Sequence, residues 1–395
     1  TLDVMNSANV FTVDRVMDQA ASGGYSAFAK NGAGTVVLTA ANTYTNSGGN
    51  IATAMNGGLL RLDAQQGGSL ATGGHISFSG GDFEFLGKTS GTTRQVLGNV
   101  TVNARGGTLT VNGNGGSGTT LTLGTLAPTA AGATLDVRTA GTATVTTSTA
   151  AAGGILGNNR VTFNGTDWAS NGAADSAIGA YAGYTAMATS GTDTANSLQA
   201  GSTALAGALT TNSLKITTSG GSQSLAQGGS LLTLTSGGLL FAGAHDYSIT
   251  GGNLASGTAT NSDLIVHQGG TGVLTIDSVI ANGVGTSTLT KAGTGTLVLT
   301  QSNTYLGATY INDGVLSISN NNQLGATAGS NVYLNGTLRI TADVTTGHNI
   351  LLGSNGGTFD VINSSLLTVS GLKGQGAGTA DTGGMTLSYT SSGTL

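Results

Sequence analysis

A single local pattern returns along most of this chain, and it dictates how the backbone must run. Gly followed by two apolar residues at alternate positions occurs at Gly34 (Val36, Leu38), Gly58 (Leu60, Leu62), Gly81 (Phe83, Phe85) and Gly107 (Leu109, Val111). Gly132 follows with one extra residue before Leu135 and Val137. The pattern resumes at Gly272 (Leu274, Ile276), Gly295 (Leu297, Leu299), Gly314 (Leu316, Ile318), Gly336 (Leu338, Ile340) and Gly357 (Phe359, Val361). Successive glycines lie 24, 23, 26 and 25 residues apart in the first run and 23, 19, 22 and 21 apart in the second. Alternation at period two marks a strand with one buried face. One such strand cannot bury that face alone, whereas a chain that returns at this interval lays each strand beside the last, about 4.8 Å away. The spacing predicts an all-β protein, a parallel β-helix of roughly 15 to 17 coils.

A longer repeat is superimposed on the short one. KAGTGTLVLTQSNTYLGATYINDGVLSISNNNQLG, residues 291 to 325, restates a stretch that begins KNGAGTVVLTAANTYT at Lys30. Lys30, Gly32, Gly34, Leu38, Thr39, Asn42, Thr43 and Tyr44 recur as Lys291, Gly293, Gly295, Leu299, Thr300, Asn303, Thr304 and Tyr305. MTLSYTSSGTL (385–395) resembles STLTKAGTGTL (287–297), as though a third copy were starting. The expected division is therefore 1–139 with the first copy, 140–205 as an irregular or loop-bearing section, and 206–395 with the second copy. Within 140–205 the Ala- and Thr-rich run gives way to a stretch holding Trp168, the only Trp, with Tyr181 and Tyr184 nearby. It reads as a loop or irregular coils, with a binding surface as the alternative, because loop aromatics serve recognition. The one segment with helical spacing is 13–21, VDRVMDQAA.

Stacking names specific neighbours. Counting three residues past each corner Gly places Arg61 over Glu84 and Arg339 over Asp360 on the outer face, with opposite charges meeting in both cases. Inward Leu, Val, Ile and Phe ladders supply most of the stability, and Gly and Asn suit corners that need positive φ.

Composition removes several classes. The 69 glycines lack the every-third-residue spacing of collagen, and a chain that is 38% hydrophobic buries too much apolar surface to be disordered. No apolar run approaches the roughly 18 residues of a spanning helix. The charge of −5, with 12 Lys and Arg scattered singly, offers no basic stripe for nucleic acid. There is no Cys, so neither disulfides nor thiolate metal sites hold the fold. Residues 1–20 lack an apolar secretory core, and the chain reads as an excerpt.

No residue stands in a pattern that marks it as catalytic, cofactor-binding or metal-ligating. His75, His245, His267 and His348 are isolated in sequence, which favours surface or corner positions over metal ligation. NGNGGSG (112–118) has no following GKS or GKT and reads as a turn. No Ser sits in GxSxG. Parallel β-helices can carry carboxylates on adjacent coils for polysaccharide cleavage, and Asp63, Asp82, Glu84 and Asp136 fall near consecutive coils. Outward solvation or corner capping accounts for each of them more simply.

The stretch KAGTGTLVLTQSNTYLGATYINDGVLSISNNNQLG, preceded by DLIVHQGGTGVLTI, resembles the autotransporter-associated β-strand repeat, also called the passenger-associated transport repeat. The resemblance covers residues 26–73 and 264–325. It implies a right-handed parallel β-helix in a passenger region at the bacterial outer surface or outside the cell, with outer-membrane anchoring by a part not in this chain. The function it points to is non-enzymatic: a rigid surface stalk or adhesin segment. The alternatives are a filament subunit stacking end to end, since TLDV (1–4) and SSGTL (391–395) both have strand character, and a polysaccharide-acting enzyme. Expected partners are the chain itself or cell-surface glycans and proteins, with no nucleic acid and no cofactor.

Overall fold

In the computed structural model the chain is a parallel β-solenoid of about 14 turns, with 53% of its residues in strands. Residues 1–18, 27–45, 50–126, 128, 130–257, 262–326, 330–353, 355–374 and 385–390 are described. Two compact units divide the chain. The first comprises Thr1–Asn164, Trp168–Tyr181 and Thr382–Gly384; the second comprises Gly165–Asp167, Ala182–Asp381 and Met385–Leu395.

In the first unit each turn contributes strands to up to three parallel sheets. One face stacks Leu2–Asp3, Phe28–Asn31, Ile51–Met55, His75–Phe78 and Val100–Val102. A second stacks the glycine-led strands, among them Thr35–Leu38, Leu59–Asp63, Asp82–Leu86, Gly107–Asn112 and Leu135–Ala140. A third carries Thr92–Val96, Gly118–Leu123 and Ala143–Thr147. The predicted ladder is present: Leu60 stands beside Phe83, and Phe83 beside Leu109, with none of the three exposed. In the second unit the corresponding ladder runs Leu274, Leu297, Leu316, Leu338, Phe359. Both outward pairs also form. Arg61 Nε donates to Glu84 at 2.7 Å, and Arg339 Nε to Asp360 at 2.7 Å.

The corner glycines earn their place in two ways. Gly58 and its counterpart Gly314 have φ of +59° and +64°, where side chains are strained, and a Cβ on Gly58 would stand 2.2 Å from the Gly34 carbonyl oxygen. Gly81 has an ordinary φ, but a Cβ there would meet the Gly57 nitrogen at 2.8 Å. Crowding by the neighbouring coil, rather than dihedral angle, excludes a side chain there.

Four expectations require correction. Leu135 stands beside Gly107 and Val137 beside Leu109, a shift of two residues from the count based on Gly132. The shift preserves the inward parity, and Phe78 already crowds the space over Gly107, 2.8 Å from where a Cβ would be. No helix covers 13–18, and 19–21 lie outside the described residues. Val10–Val13 is instead a strand beside Thr35–Leu38, and the Met17 backbone bonds to Asn42 and Thr43 of the next coil rather than within a helical turn. The strand Met385–Thr390 pairs with Gly357–Ile362 on the glycine-led face, so its phase is not that of the STLTK segment, whose strand Thr288–Ala292 lies on the lysine-bearing face. Residues 391–395, including SSGTL, lie outside the described residues. The turn count also falls below expectation, because strands between 143 and 204 are only two to five residues long and much of that stretch is spent on turns.

That stretch contains an antiparallel pair, Asp167–Ser170 with Gly179–Ala180. Trp168 is fully buried, and the half-buried Tyr184 donates to Asp167 at 3.2 Å. The Lys215 ammonium pairs with the same carboxylate and lies 5.0 Å from the Tyr184 ring centroid. Trp168 is thus core, and no recognition platform is built on it.

Candidate functional site

The residues that recur between the two long repeats converge on buried polar contacts. Phe28–Asn31 alternates inward and outward, and Lys30 falls on the inward register between Leu2 and Met55. Its stem fills a rung of the core, and the residue has no exposed surface. The ammonium donates to the carbonyl oxygens of Asn31 (2.7 Å), Gly32 (2.7 Å) and Gly57 (2.9 Å). Lys291, between Val266 and Ile311, does the same with Ala292 (3.0 Å), Gly293 (2.6 Å) and Asp313 (3.0 Å). An ammonium has three N–H groups, and here all three find acceptors. Two acceptors belong to the lysine's own corner and the third to the corner of the following coil, so each lysine ties two turns together.

The left-handed glycine at each corner, Gly32 (φ +72°) and Gly293 (φ +74°), belongs to the turn whose carbonyl oxygens accept from the ammonium. Burial pushes Lys30 down to about 8, against the opposing pull of Asp3, and Lys291 down to about 7, against that of Asp313.

Asn42 and Asn303 span three turns. The Asn42 side-chain oxygen accepts from Met17 N–H of the preceding coil at 2.9 Å, and its amide donates to Ser69 O of the following coil at 3.2 Å. Asn303 accepts from Ile280 N–H at 2.8 Å and donates to Gln323 O at 2.7 Å. Tyr44 and Tyr305 are buried with their hydroxyls on Thr53 (2.9 Å) and Thr309 (2.6 Å). Burial raises both phenols, Tyr44 to about 12. Other coils achieve corner closure with glutamine: the Gln268 amide donates to Gly272 O at 2.7 Å and to Thr296 O of the next coil at 3.0 Å. These contacts close backbone groups that burial would otherwise leave without water or partner, a cost of about 1–3 kcal/mol each.

The residues considered for chemistry are placed elsewhere. Asp63, Asp82, Glu84 and Asp136 all sit on the outer side of the glycine-led face, where each serves a local contact. Asp63 caps the short turn at Ala64–Gln66, and Asp82 accepts from Thr108 N–H at 2.7 Å. Glu84 pairs with Arg61, while Asp136 pairs with Arg138 at 2.5 Å and accepts from Thr162 at 2.8 Å. Of the histidines, His245 is exposed and His75 half-buried. His267 and His348, expected at the surface or at a corner, lie within strands and are 4% and 1% exposed. His267 lies on a strand buried along its whole length, Asp263–Gln268, whereas His348 falls on the inward register of Val344–Leu352, where buried and more open positions alternate. His348 Nδ1 lies 2.9 Å from Ser330 Oγ, and burial lowers its pKa. Among the described residues no three His, Asp or Glu side chains gather as a metal site.

The buried lysines were not anticipated as core. Their signal was available in the recurrence of Lys30 as Lys291 at a position two residues from the inward Phe28.

Comparison with known proteins agrees with this geometry. The family model for the passenger-associated-transport-repeat matches residues 28–62 and 289–318, the segments that contain both lysines. A relative, an adhesin BmaC autotransporter from Brucella suis biovar 1 (strain 1330), is 36% identical over 137 residues, 33% of this chain. The chain spans only 4% of that relative's length. No solved structure matches the chain. The lysine, the asparagine and the tyrosine of each copy thus lie within the segments that the family model matches, and this β-solenoid carries two passenger-associated transport repeats.

Proposed function

We propose that the chain is a non-enzymatic structural segment of a bacterial surface or secreted passenger, serving as a rigid spacer in an adhesin-like protein. The observation that carries this reading is the coincidence of transport repeats with buried polar staples that tie successive turns, Lys30 to Gly57 and Lys291 to Asp313. Such a core resists local opening and presents protein-cleaving enzymes with few free backbone segments. The outer carboxylates are each committed to a local cap or to a contact within or between neighbouring strands, which favours a structural over a hydrolytic role. A relative named as an adhesin autotransporter supports the cell-exterior assignment.

Antibodies raised against residues 289–318 test it on cells producing the natural polypeptide. Intact cells, or the medium around them, should be labelled. Labelling only after permeabilisation would refute the assignment.

A further inference from the structure

On the lysine-bearing face of the second unit, two successive coils place a tyrosine at the same outward position. Tyr310 lies between the inward Thr309 and Ile311, and Tyr333 between the inward Val332 and Leu334, so strand alternation turns both rings outward. The two are direct partners across the parallel ladder. Their rings are parallel to within 3°, with centroids 4.6 Å apart, close to the roughly 4.8 Å between strands. The facing sides of the rings are thus closed to a ligand, while the ring edges lie side by side. Thr290 and Leu351 continue the same register on either side. Both tyrosines are half-buried, and the Tyr333 hydroxyl accepts from the Asn331 amide at 3.3 Å. The fold does not demand this pair. With Lys30 set against Lys291, the places of Tyr310 and Tyr333 are taken in the first copy by Ala54 and Ser77, themselves ladder partners.

We propose that Tyr310 and Tyr333 form an oxidative cross-linking site, at which a peroxide acting through a one-electron oxidant joins the two rings and ties adjacent coils covalently. Each phenol gives up one electron and its hydroxyl proton, leaving a phenoxyl radical with unpaired spin on the ring carbons beside the oxygen. A Cε atom of one ring then bonds a Cε atom of the other. Each of these carbons loses its hydrogen as a proton and each oxygen takes one up, which restores both phenols. In sum the pair loses two hydrogen atoms, and one peroxide is reduced to two waters. Ladder register and stacking supply the encounter that separate radicals would reach only by diffusion. A tilt of the rings toward each other closes the remaining gap, and outward side chains on a sheet have room for it. Tyr44, Tyr247 and Tyr305, by contrast, are buried with their hydroxyls hydrogen-bonded, out of an oxidant's reach. The sequence has no Cys, so a disulfide cannot make such a tie here. This inference is independent of the surface-spacer reading, which concerns location and role.

The test treats the full 395-residue chain, dilute enough that molecules seldom meet, with hydrogen peroxide and a haem peroxidase. The monomer should gain dityrosine fluorescence and become lighter by two hydrogen atoms. Digestion should then release a cross-linked peptide pair that carries Tyr310 and Tyr333. Tyr310→Phe and Tyr333→Phe keep a ring in the stack, so each should retain the circular dichroism of the natural chain while losing the cross-link. A natural chain that forms no dityrosine within the monomer overturns the proposal. So does a cross-link that survives in either variant or maps to other tyrosines.

Discussion

Replacing Lys291 with Met keeps most of the stem in the core rung and removes the three N–H donors. The carbonyls of Ala292, Gly293 and Asp313 then lose their partner in a site with no exposed surface. At about 1–3 kcal/mol for each orphaned acceptor, the gross loss is about 3–9 kcal/mol. Removal of a buried ammonium returns several kcal/mol of desolvation, which leaves a net loss of about 2–4 kcal/mol at pH 7. The pH dependence separates this cap from ordinary packing. The folded-state value is about 7 against 10.5 for a free lysine, so between those values the unfolded chain holds more protons than the folded one. The stability contributed by this group therefore rises with pH from about 7 to about 10.5, by at most about 1.4 kcal/mol per unit, and is flat below that window. Urea unfolding followed by circular dichroism should show that rise for the natural chain, and Lys291→Met should show a smaller rise. Stability of the variant at pH 7 within about 0.5 kcal/mol of the natural chain would refute the cap. An unchanged pH slope would refute the lowered proton affinity of Lys291.

Three further outcomes follow from the same geometry. Leu299→Asp puts a carboxylate in a ladder position that is 1% exposed and should cost more than about 4 kcal/mol, seen as new protease cleavage around residues 274–318; native-like resistance would contradict the inward assignment. Arg339→Ala should cost no more than about 1 kcal/mol, because the Arg339 side chain is 35% exposed and solvent screens its pair with Asp360; a larger loss, persistent in high salt, would show the pair to be a principal support. Gly58→Ala combines left-handed backbone with a 2.2 Å approach to Gly34 O, whereas Gly91 (φ +71°) has nothing within 4 Å of its Cβ position. Thermal unfolding should therefore fall further for Gly58→Ala than for Gly91→Ala, and equal effects would discount crowding.

The winding was legible because alternation and spacing are set by the same apolar residues that fill the core. Leu60, Phe83 and Leu109 had to align if the chain turned every two dozen residues, and the Arg61–Glu84 and Arg339–Asp360 pairs followed from the count alone. What escaped was polar and inward. Lys30, Lys291 and Gln268 belong to residue types normally solvated, and only three-dimensional corners reveal carbonyls that need donors. The 13–21 segment misled because amphipathic spacing cannot register Asn42 of the next coil competing for the Met17 backbone. Between 140 and 205 the alternation is too short to set a phase, so neither the antiparallel pair nor the burial of Trp168 was readable.

Tyr44 reaches Thr53 across nine residues, while Tyr305 reaches Thr309 across four, and the hydroxyl bridge is the same in both. The corner between them therefore tolerates a difference of five residues, nine against four, at an entropic cost that grows only with the logarithm of loop size. A lineage of such chains can embroider that corner with new surface while the winding beneath keeps its pitch.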